Sequence, residues 1–195
     1  MDVSELLYRV REEVPEASGF VVDARIVDSL NRGYQYVARR SYGLRGEFTS
    51  PQVAIDAIEF SIPNYILAFL TTTWLTAAGD TSTVVTKLWT DAVPRWGAKE
   101  MEDPQATAAT PSFLFIYGNT SAHFHPKPSA VGYLKGTAIM IPTNDVGNPF
   151  QKLSATTDKP ALQEDLHECI VSHATAELLA RSPARLPQAQ QYRMM

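Results

Sequence analysis

The chain has 195 residues, which predicts one domain or one domain with an insertion, and 45% of them are hydrophobic, enough for a globular core. Its 17 basic and 21 acidic residues give a net charge of −4, which argues against a protein that binds nucleic acid through surplus Lys and Arg. The single cysteine, Cys169, excludes an internal disulfide, and the apolar run at 65–70 is too short to span a bilayer, so we expect a soluble protein.

Residues 1–46 predict two helices. Apolar residues recur at helical spacing from Val3 to Val14 on one face, and Pro15 ends this helix. A second apolar stripe starts near Asp23 and closes before Gly43, which has the position of a helix C′ residue. We therefore expect a helical N-terminal region.

Residues 47–157 predict a β-rich insertion. β-Branched and aromatic residues dominate, and Pro, Gly, Asn and Asp interrupt them at regular intervals. This spacing favours an antiparallel sheet or a small sandwich. The polar stretch 99–110 has no apolar period, and we interpret it as a loop. The candidate strands are 57–62, 66–76, 82–93, 112–118, 121–125 and 132–142.

Residues 158–182 predict a third helix, in which apolar residues recur every four positions after Pro160. Its apolar stripe has no partner other than the N-terminal helices, so we expect the three to pack together. Residues 183–195 contain prolines, no acid and little to pack, and they predict an extended tail. The predicted fold is thus α+β: a bundle of two N-terminal helices and one C-terminal helix, with an inserted antiparallel β domain and an extended C-terminal tail.

His123 and His125 alternate in the predicted strand 121–125, so their rings lie on one face and could share a metal ion. A zinc site needs a third and usually a fourth protein ligand. The other soft candidates lie on the C-terminal helix: His167, Cys169 and His173. The two histidines of that helix are six positions apart, on different faces. We interpret the strand pair as polar neighbours of a core Phe124, and we predict neither a metal nor another cofactor.

Two acidic clusters, at 100–103 and 164–168, could supply the carboxylates of an acid–base catalyst. The first lies in the predicted loop, and the second begins a helix, where the dipole favours acids. We interpret both as solvated surface. Nucleophile-elbow, P-loop and dinucleotide-binding motifs are absent from the sequence, so we predict a protein that is not an enzyme.

Four stretches carry a family resemblance through their order along the chain. They are "ARIVDSLNRGYQYVARRSYGLRG" at 24–46, "AIEFSIPNYI" at 57–66, "TPSFLFIYGNTSAHFHPKPSAVGYLKG" at 110–136 and "DKPALQEDLHECIVSHATAELLAR" at 158–181. Together they give an opening helix, a strand that ends at a proline, paired strands with a P-x-P step, and a closing helix. In this order the chain resembles the head-to-tail adaptor (head-completion, tail accessory) proteins of tailed bacteriophages.

The resemblance implies a structural protein of the virion neck that is assembled in the host cytoplasm. It implies a homo-oligomeric ring, usually of twelve copies, that binds below the portal protein and extends the DNA channel. DNA would pass without specific binding, and the lower surface would meet a downstream tail or neck protein, with no membrane involved. Two alternatives stay open: a tail accessory enzyme that degrades peptidoglycan with Glu164 or Glu168, and another neck protein such as a stopper or tail terminator.

The resemblance also implies that the C-terminal tail reaches along the portal. The tail is basic, with an apolar end, and suits an acidic groove on a partner. Its portal-binding candidates are Arg181, Arg185, Leu186, Tyr192, Arg193, Met194 and Met195. The candidates for contacts between subunits are Tyr34, Arg39, Arg40, Tyr42, Trp74 and Trp89.

Overall fold

A computed structural model of the chain describes residues 1–14, 22–88, 107–118, 120–181 and 185–193. The chain divides into two compact units, one formed by Met1–Leu44 with Ile141–Met195 and the other by Arg45–Met140. Within the described residues the first unit holds four helices and the second a curled sheet of seven strands, which confirms the predicted α+β class.

The helical unit is built from α1 (Val3–Glu13), α2 (Asp23–Ser41), α3 (His167–Leu179) and α4 (Leu186–Arg193). A short 3-10 turn, Glu164–Leu166, leads into α3. Their apolar faces share one core, as the helical spacing predicts. Its fully buried side chains include Leu6, Val10, Ile26, Leu30, Tyr34, Ile170 and Leu179.

The start of α1 is fixed by a capping box. The Asp2 carboxylate accepts a hydrogen bond from the Glu5 N–H at 3.0 Å, and the Glu5 carboxylate accepts one from the Asp2 N–H at 2.9 Å. These reciprocal bonds satisfy backbone donors that a helix start otherwise leaves without partners. The end of α2 differs from the prediction, because Tyr42 rather than Gly43 takes the left-handed conformation, with φ of 52°.

The C-terminal segment is not an extended tail, and that prediction is wrong for residues 186–193. These residues form α4, which packs against α3 and buries Ala189 to 2% exposure. Pro187 sits in the first turn, where its missing N–H costs no helical hydrogen bond. The Ala and Gln residues at 188–191 are good helix formers, so Pro187 starts this helix and does not prevent it.

Residues 141–157 were predicted as part of the β insertion, but they belong to the helical unit. The Asn31 side chain of α2 holds them through both of its polar atoms, donating to the Leu153 carbonyl at 2.9 Å and accepting from the Leu153 N–H at 2.8 Å. The Asp158 carbonyl in turn accepts the Val3 N–H at 2.9 Å, which caps α1. A segment without regular secondary structure thus joins the helices through backbone groups that would otherwise need water.

The β unit forms one sheet in the order β1-β7-β3-β4-β5-β6-β2. The predicted antiparallel arrangement is wrong at one pair, because β4 and β5 run parallel, with Val85 opposite Phe113. Antiparallel neighbours can be joined by a tight turn, whereas a parallel pair needs a long connection, here residues 89–112. The strands are Arg45–Thr49, Glu59–Ser61, Ile66–Thr76, Thr81–Leu88, Phe113–Tyr117, Ser121–His125 and Gly132–Met140, β1 to β7 in chain order.

Two glycines of β7 let this strand approach β3 closely. A Cβ atom on Gly136 would lie 1.8 Å from the Thr71 carbonyl oxygen, and one on Gly132 would lie 2.6 Å from the Trp74 ring. Trp74 is consequently enclosed, with 1% exposure, and its ring meets Phe124 edge-on at 5.5 Å. The predicted alternation in β6 holds around Phe124, which is buried between half-buried histidines at 123 and 125.

We predict that Gly136→Ala destabilises the β unit by about 3 kcal/mol, because a backbone oxygen on β3 must move to admit the new methyl group. Urea denaturation followed by circular dichroism measures the loss. The exposed neighbour Lys135 provides the control, since Lys135→Ala should change the free energy of unfolding by less than about 0.5 kcal/mol. A Gly136→Ala protein as stable as the wild type would show that β3 and β7 are not in this register.

Acid should weaken the junction between residues 154–158 and α1. Hydrogen bonds from the Ser154 and Ala155 N–H groups, each 2.7 Å long, lower the pKa of Asp158 below its ordinary value of 3.8. A lowered pKa means that this stabilisation is complete above pH 3.8 and is lost as the pH falls through the native value. Stability measured from pH 5 to pH 2 should therefore fall less steeply in Asp158→Asn than in wild type, with Asp145→Asn as a control. Equal slopes for wild type and Asp158→Asn would contradict this.

Candidate assembly surfaces

A cleft of about 610 Å³ opens in the helical unit between the second half of α2, α3 and the end of α4. The sequence places polar and aromatic side chains here instead of continuing the apolar stripes of the three helices. Its described lining includes neither an aspartate nor a glutamate. The residues that give the cleft its chemistry are Tyr36, Arg40, Cys169, His173, Tyr192 and Arg193.

An arginine and two aromatic rings form a ladder along one wall of this cleft. The Tyr36 and His173 rings lie 4.6 Å apart between centroids, and the Arg40 guanidinium carbon lies 5.4 Å from the Tyr36 centroid. Tyr36 and Arg40 are four positions apart on α2 and therefore share one face. Because Tyr36 keeps 46% of its surface exposed, the ladder presents a rigid arginine–aromatic surface, a composition enriched at protein interfaces.

The imidazole of His173 is neutral at pH 7. Burial lowers its pKa, Arg193 adds to this, and Glu177 opposes it. Its Nδ1 atom is buried and has no hydrogen-bond partner among the residues that the structure describes. The base of the cleft is therefore a neutral ring, and the positive charge of the cleft comes from Arg40 and Arg193.

Helix α4 packs on α3 through Ala189 and is joined to α1 by a polar contact. The Tyr192 hydroxyl donates a hydrogen bond to the Glu13 carboxylate of α1, which raises the pKa of Tyr192 to about 12. The predicted portal-binding residues Leu186 and Arg193 lie on the exposed side of this helix.

The other predicted C-terminal residues are placed around α4. Arg181 forms an ion pair with Glu177 at 3.1 Å, and Arg185 stands directly before the helix. Met194 and Met195 lie outside the described residues. The structure thus brings most of the predicted tail onto the helical unit, and it places Tyr192 and Arg193 in the cleft.

Two of the predicted subunit contacts belong to the cores of their own units. Tyr34 is 1% exposed, its hydroxyl accepts the Ala161 N–H at 2.8 Å, and burial raises its pKa. Trp74 is enclosed in the sheet, as described above. Large aromatic side chains in amphipathic patterns fill cores as readily as interfaces, and both of these side chains are buried inside their own unit. Trp89 lies outside the described residues.

Three predicted contact residues are at the surface: Arg39, Arg40 and Tyr42. All three lie at the end of α2. The sequence reasoning missed Tyr36, although its spacing of four from Arg40 was a usable signal. Cys169, a candidate metal ligand in the sequence, is exposed in the cleft.

Among the described residues, the candidate metal ligands do not gather into one site, and Glu164 and Glu168 lie at the surface. Among them, no group of three or more His, Cys, Asp or Glu side chains is placed to hold a metal ion. Glu168 pairs with Arg9 at 3.3 Å, and Glu164 is almost fully exposed. The acidic cluster at 100–103 lies outside the described residues. No helix in the described part of the chain has the length and apolarity needed to cross a bilayer.

The sequence model of the SU10 adaptor protein family matches residues 1–195. The chain therefore belongs to this family of phage head-to-tail adaptors, as its resemblance predicted. No curated protein matches the sequence.

Removing the hydroxyl of Tyr192 should loosen α4. We expect Tyr192→Phe to raise amide hydrogen exchange in residues 186–193 by roughly 5–10-fold, because the lost hydrogen bond to a carboxylate contributes about 1 kcal/mol. Exchange in the middle of α3 should stay unchanged. Tyr42→Phe, which alters an exposed hydroxyl elsewhere, is the control. Unchanged exchange in α4 would show that the contact with Glu13 does not hold the helix.

Proposed function

We propose that this protein forms a ring below the portal of a tailed phage, extends the DNA channel and presents a docking surface to the next tail or neck protein. The observation that carries this proposal is the family match, which covers the whole chain. The exposed arginine–aromatic surface supports it, because a ring component needs contact surfaces rather than an active site. Twelve copies, the number that the family resemblance implies, would match a portal ring.

The charge of the chain suits a channel that DNA crosses without binding. A net charge of −4 repels phosphate, and non-specific DNA binding requires clustered Lys and Arg. In the cleft, Arg40 lies over the Tyr36 ring and Arg193 stands on a different helix, so the two do not form a basic stripe along one element. We therefore propose that DNA passes through the ring without being held, in a neck that is assembled in the host cytoplasm.

The C-terminal segment is the proposed attachment to the portal. No acidic residue follows Glu177, so the segment complements an acidic groove on a partner. Its residues Leu186 and Arg193 are exposed along α4. Binding as a folded helix would avoid most of the ordering cost that an extended tail incurs on association.

The peptidoglycan-hydrolase alternative has less support. A general acid needs a carboxyl group whose pKa is raised by burial or by a like charge. Glu168 instead faces the guanidinium of Arg9, and Glu164 is open to water. A different neck component, such as a stopper or tail terminator, remains the second candidate, and its copy number and position would distinguish it from an adaptor.

The portal contact can be tested without unfolding α4. We expect Leu186→Asp to bind portal-bearing heads at least tenfold more weakly than wild type, since an acidic groove repels a carboxylate at this exposed position. Binding is measured by cosedimentation of the full chain with the heads. Glu47→Lys, an exposed charge change in the β unit, is the control. Wild-type affinity in Leu186→Asp would overturn the assignment of this helix to the portal.

A further inference from the structure

We propose that neighbouring copies in the ring join by placing the exposed face of α1 of one copy against the α2–α3 cleft of the next, with Glu12 meeting Arg40 and Tyr8 packing on Tyr36. This inference rests on the proposed ring and names the contact that would build it. It assigns one occupant, a second copy of this chain, to a cleft that is open among the described residues.

The cleft carries positive charge that can bind a carboxylate. Arg40 and Arg193 line it, and none of the described residues that line it is acidic. Arg40 forms no ion pair within the described part of the chain, although Arg9, Arg11, Arg32 and Arg181 all do. Its guanidinium is positioned over the Tyr36 ring, so the side chain is already ordered and loses little freedom when it pairs.

The solvent face of α1 offers the matching chemistry. Tyr8 is 62% exposed, the most exposed tyrosine in the described residues, while Val3, Leu6 and Val10 on the opposite face are buried. Glu12 lies four positions after Tyr8 and next to its hydroxyl. The helix therefore presents an aromatic ring and a carboxylate side by side, on its solvent-exposed face.

The two surfaces have the same spacing and opposite charge. Tyr8 and Glu12 on α1, like Tyr36 and Arg40 on α2, stand at i and i+4, a rise of about 6 Å along a helix. When the two pairs face each other, the Tyr8 ring meets the Tyr36 ring and the Glu12 carboxylate meets the Arg40 guanidinium. An aromatic contact beside a partly desolvated ion pair is the arrangement that concentrates binding energy in interfaces.

The two surfaces are different patches of one chain, so the contact between copies is heterologous. Such a contact closes into a ring when the rotation between copies allows it.

Charge reversal tests this contact. Arg40→Glu gives two negative surfaces and Glu12→Arg gives two positive ones, so each variant alone should lose assembly at least tenfold, on portal-bearing heads and in concentrated solution. An equimolar mixture should recover assembly, because each altered surface then meets the opposite charge on the other variant. Mass photometry and sedimentation velocity measure the assembled fraction. Arg25→Glu, an exposed reversal near the start of α2, is the matched control and should assemble as wild type does.

The outcomes separate this contact from the proposed function. If wild type, Arg40→Glu and Glu12→Arg all assemble equally on the heads, the contact is wrong and the adaptor function stands. If only Arg40→Glu fails, the cleft receives a portal or tail segment, and the assignment of a second copy is overturned. If wild type neither assembles nor attaches to the heads, both proposals fail. Circular dichroism of each variant confirms that a loss of assembly is not a loss of folding.

Discussion

The helical unit depends on the close packing of α2 against α3. Gly33 brings the α2 backbone so near to α3 that a Cβ atom there would lie 2.8 Å from the Ile170 carbonyl oxygen. These helices lie on either side of the β unit in the sequence, so their contact closes one core from both ends of the chain. The same approach brings the Tyr36 and His173 rings together one turn further on, so the packing that stabilises the core also forms a wall of the cleft.

Local periodicity was enough to predict α1 and α2, because each carries a one-sided apolar stripe that a helix can bury. The third helix was predicted over 158–182, whereas α3 begins at His167 and is buried on more than one face. Periodicity failed for α4, whose eight residues show almost no amphipathic pattern and bury only Ala189. The parallel pairing of β4 with β5 was also beyond local reasoning, since strand neighbours are chosen by contacts distant in sequence. Residues 141–157 are held to the helices by hydrogen bonds between Asn31 and Leu153. No local sequence pattern predicts such hydrogen bonds.

The candidate site shows the same division. Spacing indicates that Tyr36 and Arg40 share a face of α2, but the cleft exists only because α3 and α4 pack beside that face. Tyr34, two residues from Tyr36, was predicted as a contact between subunits, but it is buried in the core. Family resemblance predicted what kind of assembly the chain joins, and the structure supplied the surfaces through which it would join.

The basic residues that the two proposals use belong to the helical unit. Arg40 and Arg193 line the cleft, and Arg193 ends α4. The proposed portal contact and the proposed contact between copies therefore both fall on the helices.

The most direct test is a cryo-electron microscopy reconstruction of the neck of an intact particle. The account predicts a ring of this chain in contact with the portal, with α1 of each copy against the cleft of its neighbour. Density for the chain as a sixfold ring on the tail tube, without contact to the portal, would contradict the assignment as a head-to-tail adaptor.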